Sequence, residues 1–135
     1  MLRRFLDEGI GLFQYLTRHL KSAFDAATIT LGPPEPQRQL CHDALTYLGD
    51  LSRYKETLLS RTPDWDIPRE YYLQAHLVSP ADGKPQSQLG LLASNSKNDL
   101  EVVYRYCLSL AATASFSPAR ANLQNYLLSQ RSQTM

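Results

Sequence analysis

The sequence of 135 residues predicts an all-α fold, with about six helices arranged as stacked antiparallel hairpins. Three observations predict it. Apolar residues recur at three- and four-residue steps in segment after segment, which places them along one side of a helix. Short turns rich in proline, glycine, serine and aspartate separate those segments. No stretch keeps the two-residue alternation of a half-buried strand.

The first helix is expected over residues 2–26, where Leu2, Phe5, Leu6, Leu12, Phe13, Leu16, Leu20 and Phe24 make one stripe with Gly9 in the same row. Asp7 and Glu8 near its start and Arg18, His19 and Lys21 nearer its end suit the helix dipole. Its full apolar stripe without an N-terminal capping box reads as a helix entered midway. TLGPPEPQRQ, residues 30–39, is expected to be a connector, because its prolines remove donors and force extended backbone.

The stretch Cys41 to Leu59, CHDALTYLGDLSRYKETLL, organises the rest. Leu40, Ala44, Tyr47, Leu48, Leu51, Tyr54 and Leu58 form its apolar stripe. Gly49 costs about 1 kcal/mol against alanine in a helix interior, so a close helix neighbour is expected there. Asp50 and Arg53, three apart, are neighbours on one helix face, and on spacing alone Arg53 reads as a solvated partner of Asp50.

Asp66 is placed as an N-cap and Pro68 in the first turn of helix three, which presents Tyr71, Tyr72, Ala75 and Val78. The turn SPADGKP leads to helix four, Gln86 to Ala93, with Leu89, Leu91 and Leu92. Asn98 or Asp99 caps helix five, which runs to Ala114 with Val102, Val103, Tyr106, Leu110 and Ala111. Ser117 and Pro118 open helix six, with Leu123, Tyr126 and Leu127, and the last residues read as a frayed tail. Leu48-Gly49-Asp50-Leu51-Ser52 is echoed by Leu89-Gly90-Leu91-Leu92-Ala93, which favours tetratricopeptide-like stacked hairpins over a closed bundle.

Composition narrows the function classes. With 43% hydrophobic and 20% charged residues the chain is globular. A net charge of +1 gives the chain as a whole no nucleic-acid or membrane-surface signature. Asp7 and Glu8 interrupt the apolar segment after Arg3 and Arg4, so no signal peptide is read, and no apolar run is long enough to span a membrane. Cys41 and Cys107 are expected to be buried intracellular thiols, and His19, His42 and His76 are scattered without metal-ligand spacing. No nucleophile motif, glycine-rich phosphate loop or spaced carboxylate pair is present, so neither an enzyme nor a cofactor is expected.

CHDALTYLGDLSRYKE, then YYLQAHLVSPADGKPQSQLGLLASNSKNDLEVVYRYCLSL, then FSPARANLQNYL resemble the N-terminal helical domain of the telomerase-associated Est-one and Smg five/six/seven proteins. The ordered run LGD-x-x-RY, P-x-x-G-x-P-x-x-QL and NLQ carries the likeness, which covers nearly the whole chain, LRRFLDEGIGLFQYLTRHLKSAF included.

The resemblance implies a right-handed 14-3-3-like and tetratricopeptide-like array in a single helical domain, 1–130. Residues 1–59 are similar to the later part of the 14-3-3-like region, residues 66–130 to the start of the Est-one-type DNA/RNA-binding region, and 131–135 form the tail. It implies a phosphoserine-peptide-binding scaffold of nonsense-mediated mRNA decay, in nucleus and cytoplasm. Its partner is a phosphorylated decay factor such as a helicase, and no membrane is involved. The alternatives are a telomerase-associated member binding telomerase RNA or single-stranded telomeric DNA, or a plain scaffold with a vestigial pocket.

The family's phosphate-contacting arginine falls on Arg53 and the following tyrosine on Tyr54. A guanidinium grips two phosphate oxygens and a phenol adds a third hydrogen bond. Gln88, in the QL motif, is a candidate for holding a peptide backbone. The family's second basic residue, a lysine, has no counterpart here, and the helix-five arginine of the family is replaced by Leu108. Upstream helices or a partner are therefore expected to complete the pocket and cover the N-terminal apolar face.

Overall fold

The computed structural model describes the backbone of residues 1–27 and 35–134, and the side chains of 1–22 and 35–134. Six α-helices account for the described residues: α1 (Leu2–Ala27), α2 (Glu35–Leu59), α3 (Asp66–Val78), α4 (Lys84–Asn95), α5 (Asp99–Ala111) and α6 (Pro118–Thr134). The only strand-like pairing among them is an isolated bridge between Asp82 and Ala114. The fold is all-α, as the periodicity predicts. The chain divides into two compact units, Met1–Ser79 and Pro80–Met135.

In the first unit α1 runs antiparallel to α2. Lys55 Nζ donates to Asp7 Oδ1 at 2.7 Å, a Cβ on Gly9 would stand 3.2 Å from Leu51, and Phe13 meets Tyr47 with ring centroids 5.4 Å apart. Helix α3 returns antiparallel along another side of α2. The core is Cys41, Leu45, Leu48 and Ala75, with Ile10, Phe13, Leu20, Tyr71 and Val78 packed around it. Phe24 and the prolines Pro33 and Pro34 lie outside the described side chains.

Helix α2 differs from its expected form in two ways. It begins at Glu35, so Gln37 to Gln39 are helical rather than connector. Pro36 sits in the first turn, where an absent N–H removes no helical hydrogen bond. The buried face is also rotated: Leu40, Tyr47, Tyr54 and Leu58 are exposed, while His42, Thr46 and Ser52 are buried. Flanked by α1 and α3, α2 buries a face wider than one stripe, and two of its three buried polar side chains meet backbone carbonyls. Thr46 Oγ1 donates to the His42 carbonyl at 2.9 Å, and His42 Nδ1 lies 2.9 Å from the Ala75 carbonyl. Helix α3 starts at Asp66 itself. Its cap position is Trp65, which makes no side-chain cap, and the Asp66 N–H donates to Asp64 Oδ1.

The second unit is a three-helix array around Ala93, Val102, Tyr106 and Ala119. The Pro80–Pro85 turn is tied to the end of α5: the Gly83 N–H donates to the Ala114 carbonyl and the Ala114 N–H to the Ala81 carbonyl, both at 2.9 Å. Buried Ser109 Oγ donates to the Gly83 carbonyl at 2.6 Å. Between α4 and α5, the Asn98 N–H reaches back to the Ala93 carbonyl and the Lys97 N–H to the Ser94 carbonyl. Lys97 has φ 56°. This is the Schellman C-cap, with lysine in the left-handed position that glycine usually fills. Asn98 then caps α5 by accepting from the Glu101 N–H. Helix α6 continues through the expected tail to Thr134. Of the two cysteines Cys41 is buried, but Cys107 is exposed because it lies on the outer side of α5, between buried Tyr106 and Ser109 on the inner side.

Candidate functional site

Gly49 builds the site. A Cβ there would fall 2.4 Å from the Tyr72 ring, so only a glycine lets α3 lay that fully buried ring against α2. The echo in the second unit repeats the device more loosely: at Gly90 the added Cβ would stand 3.1 Å from the Tyr106 ring. In both hairpins the preceding leucine, Leu48 or Leu89, is fully buried.

What distinguishes the first hairpin is at the rim of the ring. Tyr72 OH donates to Asp50 Oδ1 at 2.6 Å and accepts from Arg53 Nε at 3.3 Å. Arg53 Nη2 is 3.7 Å from Asp50 Oδ1, with the two side chains only 13% and 17% exposed. The Arg53 guanidinium also lies over the Tyr54 ring, 4.4 Å from its centroid, within reach of a cation–π attraction. Arg53 is therefore not the solvated partner of Asp50 that spacing suggests; it is anchored on three sides.

The electrostatics follow from that burial. Burial is the largest influence on Arg53 and opposes its charge, but hydrogen bonds with Tyr72 and Tyr54 and the Asp50 carboxylate outweigh it, so its pKa stands above the ordinary value. The Tyr72 phenol is pushed far up, first by burial and then by Asp50, whose negative charge and acceptor oxygen both favour the protonated form. The cluster holds a permanent cation and a neutral phenol. Tyr72 had registered in the sequence only as a core position on α3. Its signal was the glycine opposite it.

Tyr54 stays 44% exposed beside Arg53, so the structure brings these two candidates together. Gln88 is half-buried on α4 and belongs to the second unit. That unit has its own sheltered ion pair. Arg105 Nε lies 3.3 Å from Glu101 Oε1, both side chains under 20% exposed, and Arg105 Nη1 donates to Gln86 Oε1 at 3.0 Å. Leu108 sits half-buried one turn further along. Among the described residues no group of three or more His, Cys, Asp or Glu could hold a metal ion, and no helix is long and apolar enough to cross a membrane.

Fold and site together define an all-helical hairpin protein that presents an anchored guanidinium beside an aromatic face. The family model described as the Est1 DNA/RNA binding domain matches residues 68–135, and the chain belongs to that family. Relatives match beyond that segment. Nonsense-mediated mRNA decay factor SMG7 of Arabidopsis thaliana is 32% identical over 90% of this chain and 13% of its own length. Human nonsense-mediated mRNA decay factor SMG5 is 32% identical over 90% of this chain and 14% of its own. Telomerase-binding protein EST1A of Danio rerio is 32% identical over 93% and 9%. The chain thus spans about a seventh or less of these relatives, and the resemblance read from LGD-x-x-RY and the segments after it holds.

Proposed function

We propose that this chain is a non-catalytic scaffold of the nonsense-mediated mRNA decay type that binds phosphoserine peptides at Arg53. The observation that carries the reading is the anchoring of Arg53 by Tyr72, Asp50 and the Tyr54 ring. Its Nε is committed inward to Tyr72. A guanidinium fixed through that edge loses little side-chain entropy on gripping a phosphate, and its two terminal nitrogens, Nη2 shared with Asp50, match a pair of phosphate oxygens. In this reading the Tyr54 phenol adds a further hydrogen bond to the phosphate. The partner is a phosphorylated decay factor, met in cytoplasm or nucleus.

Asp50 already offsets part of the Arg53 charge, so one charged contact of about 1.5–3 kcal/mol sets the discrimination, roughly ten- to a hundredfold between phosphorylated and unmodified serine. Titrating matched peptides with and without the phosphate tests this. Arg53→Gln should abolish the difference while circular dichroism stays native. Arg53→Glu suits the test less well, because it sets a second carboxylate beside Asp50. Equal affinity for both peptides rejects the reading.

A second reading, binding of telomerase RNA or single-stranded telomeric DNA, is favoured by the Est1 DNA/RNA binding match over 68–135. Residues 80–135 carry five basic against three acidic side chains, a mild positive bias. It predicts single-strand affinity that falls steeply with salt; flat salt dependence removes it.

A further inference from the structure

Helices α1 and α3 flank α2 and run parallel to each other. They are bridged where Gln14 Nε2 donates to Tyr71 OH at 2.9 Å. From that bridge toward their C-terminal ends they leave a notch. Two adjoining hollows of about 310 and 210 Å³ share Thr17 and Lys21. Together they reach the size of a ligand cleft, roughly 300–1,000 Å³.

The floor is the core itself, Leu48 under the first hollow and Leu45 and Cys41 under the second. Lys21 lines both hollows and shares the second with Cys41, whose thiol is pushed up chiefly by burial. On the α3 side Leu77 is 76% exposed, a large apolar side chain at the lip. On the α1 side the lip is Arg18 and Lys21, and no acidic side chain among the described residues lines either hollow. None of these residues belongs to the Asp50–Tyr72–Arg53 cluster.

We propose that this notch docks an acidic segment of a partner protein that carries a large apolar anchor. The apolar floor and Leu77 take the anchor, as in helix-in-groove recognition. Arg18 and Lys21 pair with flanking carboxylates, giving orientation and selectivity against basic segments.

The test uses the full chain and a fluorescein-labelled amphipathic peptide with leucines at i and i+4 and glutamates elsewhere, followed by polarisation. Saturable binding is expected, weakened at least tenfold by Leu77→Asp and by Arg18→Glu with Lys21→Glu. Arg53→Gln should leave it unchanged, which separates this groove from the phosphoserine site. The charge-reversed double variant should gain affinity for the matching lysine peptide. Leu77 is on the surface, so its substitution spares the core. Absence of saturable binding, or equal affinity across these variants, overturns the proposal. So does a concentration-dependent dimer in light scattering that Leu77→Asp abolishes, since the occupant would then be a second copy.

Discussion

Tyr72 is held at both ends, its ring against Gly49 and its hydroxyl between Asp50 and Arg53. A pH dependence follows at this single residue. Its folded-state pKa is raised, so the folded chain keeps a proton that the unfolded chain releases above about pH 10. The stabilisation is complete below that pH and is lost as pH climbs toward the higher folded value, by about 1.4 kcal/mol per pH unit at most. Tyr72→Phe should cost about 1–2 kcal/mol at neutral pH, through the lost bond to a half-buried carboxylate. Its stability should then decline less steeply than that of the native chain between pH 10 and 11.5. Urea midpoints across that range measure both effects, and parallel curves would show that Tyr72 does not carry the difference.

Among the elements, α2 and α4 share a glycine seat for a tyrosine from the next helix, but at different depths. Alanine at Gly49 gains about 1 kcal/mol of helix propensity and meets the Tyr72 ring at 2.4 Å, an overlap costing roughly 1–3 kcal/mol or more, so Gly49→Ala should destabilise. At Gly90 the 3.1 Å approach asks only a small movement of Tyr106. Gly90→Ala should therefore stay within about 1 kcal/mol of native, propensity and crowding nearly offsetting. Chemical denaturation of the two variants compares them, and a larger loss at Gly90 would contradict the seat geometry. Helix number, the echo and the reason for Gly49 were legible in the sequence, because apolar spacing and a lone interior glycine are local signals. The rotated face of α2 was not. His42, Thr46 and Ser52 look solvent-facing until backbone carbonyls from α2 and α3 satisfy the first two. Likewise Asp66 has the composition of a cap, but the chain enters α3 through Trp65 and an Asp64 turn.

On the scale of the whole molecule, the chain is two compact units that meet in sequence at Ser79 and Pro80, and each keeps its own buried leucine. Leu48→Ala and Leu89→Ala should each cost about 2–5 kcal/mol. Hydrogen exchange should show where: Leu48→Ala accelerating amides in 1–79 before 80–135, and Leu89→Ala the reverse. Uniform acceleration in both variants would mean one cooperative unit. The candidate site was half legible. Arg53 and Tyr54 came from a motif likeness, since their spacing pointed only to an ordinary surface pair. The residue that aims Arg53 lies nineteen positions away on another helix, and no sequence period reports such a contact.

The seat of Tyr72 on Gly49 also constrains how this protein can change. Position 49 can grow only if position 72 shrinks, and a smaller residue at 72 removes the hydroxyl that bridges Arg53 and Asp50. The spacing of two helices and the aim of one guanidinium are therefore inherited together. Substitutions at Asp50 or Tyr54 change the surroundings of Arg53 while leaving the contact between Gly49 and the Tyr72 ring in place.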